Sequence, residues 1–198
     1  RVLATLVLVP RVEIVEMLGR AGWDAVIFDL EHGPYTVAEL APLVAAAQGA
    51  GMHAVVRVLE ANDAAIGSVL DVGVDGILVP HVSSAEAARR VATASRFPPT
   101  GERSINPFVR ATGYLATDPA EYGAIDAGLA VIAMVEGREG LESLPEIVSE
   151  PEIDAVFVGP VDLSASLGVP GRPEHPRVIE AASQVIATAD AAGTASGL

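Results

Sequence analysis

The sequence predicts a parallel α/β fold of the (β/α)8 type, a TIM barrel, with the last strand and helix missing from the chain. Short apolar segments alternate along the 198 residues with segments of helical periodicity, a pattern typical of repeated β/α units. Polar residues follow the apolar segments at one strand end after another. A barrel collects these ends around one site, whereas an open doubly wound sheet spreads them along a line. We therefore favour the barrel over the open sheet.

Six strands are predicted from the apolar segments. Their ranges are 4–9, 25–29, 54–58, 76–80, 130–136 and 155–159. Helical periodicity predicts helices over 37–49, 84–95 and 175–193. Ser84 is the expected N-cap of the second of these helices. A seventh strand begins at 194–198, and a closed barrel needs roughly 40–50 further residues, so we interpret residues 1–198 as a single barrel domain truncated at its C-terminus.

The composition excludes several classes of protein. The chain contains no cysteine, and all 12 of its basic residues are arginine. Without a lysine amine there is no Schiff-base nucleophile, so we exclude lysine-dependent aldolases and pyridoxal phosphate enzymes. Without a thiol there is no cysteine nucleophile and no thiolate metal site. The net charge of −14 argues against a nucleic-acid partner, because phosphates would be repelled.

The apolar segments are too short to span a membrane. Each falls well below the about 18 residues that a membrane span needs. No basic segment followed by a long apolar one opens the chain, as a signal peptide would require. We therefore expect a cytoplasmic protein without a membrane partner.

Two carboxylates follow neighbouring predicted strands. Glu136 ends the fifth strand, and Asp162 lies just after the sixth. Both would project into the same barrel mouth, where an oxygen-rich pair of ligands suits Mg²⁺ or Mn²⁺. The alternative is that each carboxylate only caps the N-terminus of a helix.

Two further residues are candidates for chemistry. Arg57 interrupts an apolar strand, and a buried guanidinium is costly unless it meets an anion. That anion is either a substrate with a developing oxyanion or an internal carboxylate partner. His32 is the natural group for proton transfer, since imidazole titrates near neutrality, and Asp71 is a candidate acid to orient it.

Six motifs together resemble the 4-hydroxy-2-oxoheptanedioate aldolase family, the HpcH/HpaI aldolases. They are FDLEHGP (28–34), VVRV (55–58), LDVGVDGILVP (70–80), FPPTGERSI (97–105), MVEGREGLE (134–142) and VFVGPVDLSASLG (156–168). The resemblance runs from about residue 2 to the end, in order and with compatible spacing. It implies a citrate-lyase-like (β/α)8 barrel that acts as a metal-dependent class II pyruvate aldolase.

The resemblance also implies roles for individual residues. Glu136 and Asp162 would be ligands of a divalent metal ion, which is Mg²⁺, Mn²⁺ or Co²⁺. Asp29 would bond to metal-bound water. His32, paired with Asp71, would be the acid/base unit.

Further implied roles concern the substrate and the assembly. Arg57 would contact the keto oxygen of a 2-oxo acid, and the backbone N–H groups of Val161 and Asp162 would hold its carboxylate. Arg110 would lie near the aldehyde end of the pocket. Met134 stands where family members often have glutamine, which bears on the metal's water shell. Homo-oligomers are implied, hexamers built as trimers of dimers with an exchanged last helix.

We accordingly predict a lyase that forms or cleaves a carbon–carbon bond through the enolate of pyruvate or a related 2-oxo acid, with an aldehyde as the other reactant. The metal would stabilise the enolate in place of a lysine iminium. An alternative is a metal-dependent lyase or decarboxylase acting on another oxo acid or an acyl-CoA ester. A barrel that binds a carboxylate ligand without turnover is a further alternative.

Overall fold

The computed structural model describes residues 1–198 and contains seven β-strands. They are β1 (Ala4–Val7), β2 (Ala25–Asp29), β3 (His53–Arg57), β4 (Gly76–Val79), β5 (Ala130–Val135), β6 (Ala155–Val158) and β7 (Ala195–Gly197). The sheet order follows the sequence, β1 to β7, and β1–β2, β2–β3, β5–β6 and β6–β7 pair in parallel. The prediction of a parallel α/β fold is confirmed, and each strand end lies within two residues of its predicted position.

Nine α-helices connect and cover the strands. They are α1 (Val12–Arg20), α2 (Val37–Gly49), α3 (Asp63–Leu70), α4 (Ala85–Ser95), α5 (Pro119–Ala127), α6 (Arg138–Glu142), α7 (Leu144–Val148), α8 (Pro160–Ser166) and α9 (Pro176–Ala192). A 3-10 turn spans Arg110–Thr112. Ser84 caps α4 as predicted, because its hydroxyl accepts a hydrogen bond from the N–H of Ala87 at 3.1 Å. None of the helices is both long and apolar enough to cross a membrane.

The chain divides into two compact units. The first comprises residues 1–77 and 94–129. Its three N-terminal strands pair in a register that sets Asp29, the last residue of β2, beside Arg57, the last residue of β3. The core of this unit is apolar, with Phe28, Leu40 and Ile66 among its fully buried side chains. The parallel register thus places a carboxylate and a guanidinium side by side at two neighbouring strand ends.

The second unit comprises residues 78–93 and 130–198. Val135, the last residue of β5, lies opposite Val158, the last residue of β6. Gly159 continues this pairing by donating its N–H to the carbonyl of Val135 at 3.1 Å. Glu136, the residue after β5, is therefore level with Gly159 and the start of α8.

Candidate active site

In the first unit, Arg57 and Asp29 form a bidentate ion pair. The Arg57 Nε donates to Asp29 Oδ1 at 2.8 Å, and Nη2 donates to Oδ2 at 2.6 Å. A third guanidinium nitrogen, Nη1, lies 3.3 Å from Glu31 Oε2. The Asp29 side chain is 1% exposed and that of Arg57 10%. Of the two partners that the sequence left open for Arg57, the structure contains the internal carboxylate.

Asp29 is held by several further contacts at the end of β2. Its Oδ1 accepts hydrogen bonds from the N–H groups of Glu31 and His32 at 3.0 and 3.2 Å. Burial by itself raises the pKa of Asp29, but the hydrogen bonds from Arg57 and His32 and the charge of Arg57 outweigh it, so the pKa lies below its usual value of 3.8. Asp29 is therefore an ionised anchor for Arg57. The Tyr35 hydroxyl accepts the Asp29 N–H at 2.7 Å.

His32 lies on the surface, and its imidazole does not bond to Asp71. Its side chain is 65% exposed, and Nε2 is 4.0 Å from Glu31 Oε1. Asp71 instead faces Arg103, with Oδ1 3.5 Å from Nη2. Arg103 is buried over the ring of Phe97, 4.3 Å from its centroid, and so presents a cation to Asp71. The pairing of His32 with Asp71 that the resemblance implied stays a prediction, since in this structure each of the two side chains lies near another residue.

Arg110 is bound within the first unit. Its Nη1 donates to the carbonyls of Val72 and Gly73, each at 3.0 Å, and Nη2 donates to Gln48 Oε1 at 2.7 Å. Gln48 continues the network to Gly73 and Asp75 through its amide nitrogen. These contacts tie the segment around residue 110 to the turn after α3. A contact of Arg110 with an aldehyde stays a prediction.

In the second unit, Glu136 is a buried carboxylate with close neighbours. Its side chain is 3% exposed. A Cβ placed on Gly159 would lie 2.6 Å from Glu136 Oε2 and 2.7 Å from the terminal methyl of Met134. Only glycine leaves room at position 159 for the carboxylate to sit against the start of α8. Met134 is buried and contributes its terminal methyl group to this packing.

His81 contacts Glu136 and was not among the predicted site residues. Its backbone N–H donates to Glu136 Oε1 at 2.7 Å, and its imidazole Nδ1 lies 2.8 Å from the same oxygen. His81 has φ +57°, the left-handed region that most residues avoid. His81 directly follows the predicted strand 76–80, but no neighbouring residue in the chain indicated its partner.

Asp162 and Val161 lie in the first turn of α8, and both are exposed. The first N–H groups of a helix have no partner within it. The structure contains no group of three or more histidine, aspartate or glutamate side chains arranged to hold a metal ion. The donors at Glu136 and Asp162 nevertheless fit a hard divalent cation that takes its other ligands from water and substrate oxygens.

The chain is similar in sequence and fold to proteins that are already known. A family model described as HpcH/HpaI aldolase/citrate lyase matches residues 7–197. A 2-keto-3-deoxy-L-rhamnonate aldolase from Escherichia coli O1:K1 / APEC is 35% identical over 184 residues, which cover 93% of this chain and 69% of that protein.

Two solved structures have a closely similar fold. The HpcH/HpaI aldolase from Desulfitobacterium hafniense DCB-2 is 34% identical with a TM-score of 0.92, and the match covers 99% of this chain and 76% of that one. An HpcH/HpaI aldolase/citrate lyase family protein from Burkholderia cenocepacia J2315 is 30% identical with a TM-score of 0.92, covering 99% and 78%.

Proposed function

Because the chain belongs to the HpcH/HpaI aldolase/citrate lyase family, we propose that it is a metal-dependent class II aldolase that joins or separates a 2-oxo acid such as pyruvate and an aldehyde. The family resemblance and the assignment as an aldolase-type lyase, both predicted from the sequence, are confirmed.

The observation that carries the proposal is the buried Glu136 carboxylate. Its Oε1 accepts a hydrogen bond from the backbone N–H of His81 and lies 2.8 Å from the imidazole Nδ1, while its Oε2 packs against Gly159. A buried carboxylate is costly unless it is hydrogen-bonded or coordinates a cation. We infer that Glu136 and Asp162 hold the divalent metal ion. When bound, such an ion supplies Lewis-acid chemistry toward the oxygen atoms of a 2-oxo acid.

Arg57 would stabilise the negative charge that develops on the keto oxygen of the 2-oxo acid. Donors act best on such a charge when they are already oriented before the reaction. The two hydrogen bonds to Asp29 provide this orientation, because they fix the plane of the guanidinium at the end of β3. We propose Asp29 as the anchor of Arg57, in addition to the contact with metal-bound water that the family resemblance implies.

His32 would transfer the proton on the aldol oxygen. Its 65% exposed side chain is accessible to a reactant, and imidazole gives and accepts protons near neutral pH. Asp71 would orient His32, as the resemblance implies. Its 3.5 Å contact with Arg103 is long and its side chain is 38% exposed, so the Asp71 carboxylate is accessible to a further hydrogen-bond donor.

The remaining substrate contacts rest on the resemblance. The N–H groups of Val161 and Asp162 would hold the carboxylate of the 2-oxo acid at the start of α8. Arg110 would contact the aldehyde. This contact requires that its guanidinium give up some of its present hydrogen bonds to Val72, Gly73 and Gln48. We also propose that the fold is a closed (β/α)8 barrel and that the protein assembles as a hexamer of three dimers. A cytoplasmic location stays a prediction.

The test is exchange of the methyl protons of pyruvate in D₂O, followed by proton NMR. Protein stripped of metal is compared with the same protein after addition of Mg²⁺, Mn²⁺ or Co²⁺, and with Glu136→Gln under each condition. We expect the methyl signal to decay only with metal and only with Glu136 present, because removal of a C3 proton requires stabilisation of the enolate. Equal exchange without metal, or in Glu136→Gln, would contradict the metal site. Absence of exchange with every metal would favour another oxo acid or an acyl-CoA ester.

A further inference from the structure

His81 makes two contacts with one oxygen atom of Glu136. The backbone N–H and the imidazole Nδ1 approach Oε1 at 2.7 and 2.8 Å. The following residue, Val82, donates its N–H to the carbonyl of Met134 at 3.1 Å. Two consecutive residues after β4, His81 and Val82, therefore bond to the end of β5, and these bonds define the position of His81 relative to the carboxylate.

The backbone of His81 has an unusual conformation that serves this contact. At φ +57° the residue lies in the left-handed region, which a non-glycine residue adopts at a cost unless the surroundings favour it. This conformation turns the N–H and the side chain of one residue toward the same oxygen. The imidazole is 66% exposed and contributes little to the apolar core, while its Nδ1 lies 2.8 Å from Glu136 Oε1.

We propose that His81 is a positioning residue for the metal site, which holds Glu136 in the orientation required to bind a divalent cation. The inference rests on the proposed function, since it assigns Glu136 as a metal ligand. A proton on Nδ1 would be donated to Oε1, 2.8 Å away, and this bond would hold the carboxylate with Oε2 against Gly159. Hydrogen-bond donors that orient metal ligands typically affect metal affinity by about 10- to 100-fold.

The test is a calorimetric titration with Mn²⁺ of the full chain and of three variants at position 81. His81→Gly keeps the positive φ and the backbone N–H but removes the imidazole. His81→Asn tolerates the left-handed conformation and carries an amide nitrogen on the same carbon that bears Nδ1 in histidine. His81→Asp has the same shape as asparagine but presents an acceptor to Glu136.

Tyr114→Gly is the matched control. Tyr114 is the other non-glycine residue with positive φ, at +66°, and it lies in the first unit. Its replacement makes the same backbone change as His81→Gly without touching Glu136. Thermal unfolding of each variant establishes that the titrated protein is folded.

We expect His81→Gly to weaken Mn²⁺ binding by about tenfold or more, His81→Asp to weaken it further, and His81→Asn to restore it to within about threefold of the unchanged chain. Tyr114→Gly should bind Mn²⁺ as the unchanged chain does. Equal binding by folded His81→Gly would overturn the inference, as would failure of asparagine to restore what glycine loses. If the unchanged chain itself does not bind Mn²⁺, the assignment of Glu136 as a metal ligand is wrong. This outcome is distinguishable from the two results that overturn only the role of His81.

Discussion

Substitution of Gly159 by alanine tests the packing of Glu136 directly. The new Cβ would lie 2.6 Å from Glu136 Oε2, 2.8 Å from Glu136 Cβ and 2.7 Å from the terminal methyl of Met134. The backbone at Gly159 has φ −92°, which alanine adopts without strain, so any effect comes from these contacts. The methionine methyl can move away at little cost, since it ends a flexible side chain. The Cβ of Glu136 cannot, because it is attached to the end of β5.

The magnitude follows from these distances. To reach an ordinary contact of 3.4 Å, Glu136 Oε2 must retreat by about 0.8 Å. Metal–oxygen bonds tolerate deviations of only about 0.2 Å. We therefore expect Gly159→Ala to lose at least about tenfold in Mn²⁺ affinity and about 1–3 kcal/mol in the free energy of unfolding, as overpacked cores do.

The assay pairs Mn²⁺ calorimetry with urea unfolding, and Gly137→Ala is the matched control. Gly137 is next to Glu136 in sequence, but a Cβ there meets nothing closer than Ser166 Oγ at 3.9 Å. Because Gly137 is the N-cap of α6, we expect Gly137→Ala to lose up to about 1 kcal/mol of stability and to keep its Mn²⁺ affinity unchanged. A Gly159→Ala protein that binds Mn²⁺ as tightly as the control would refute the argument that glycine makes room for the carboxylate.

Two further predictions concern the ion pair of the first unit. Arg57→Ala should lower kcat by at least about 100-fold and cost about 3–5 kcal/mol in the free energy of unfolding, because Asp29 loses its buried partner. Arg57→Lys keeps the charge without the bidentate geometry and should recover stability better than rate. An effect of Arg57→Ala on KM alone would contradict the role of Arg57 in stabilising the developing charge. The folded pKa of Asp29 lies below its unfolded value of 3.8, so the ionised group contributes stability above pH 3.8 that is lost as the pH falls through the folded pKa. The stability difference between the unchanged chain and Asp29→Asn, measured by urea unfolding, should be constant from pH 7 to 5 and shrink only below about pH 4; a difference that declines already between pH 7 and 5 would show another titrating group.

The sequence by itself determined the elements of the fold and the family. The apolar segments predicted six of the seven strands, and Ser84 predicted the start of α4, because hydrophobic periodicity and helix capping are local properties of the chain. The position of polar residues in or just after the strands likewise identified Arg57, Glu136 and Asp162 as candidates. Their order and spacing in the motifs were enough to identify the family.

Only the tertiary structure decided which of these residues contact one another. Arg57 meets Asp29 because a parallel register sets the ends of β2 and β3 side by side, and Asp71 meets Arg103 rather than His32. His81 reaches Glu136 from 55 residues away along the chain, through a left-handed backbone that no local pattern indicated. Contacts between distant residues depend on register, packing and backbone conformation together. A single sequence therefore shows which residues are candidates for a site but not which of them contact each other.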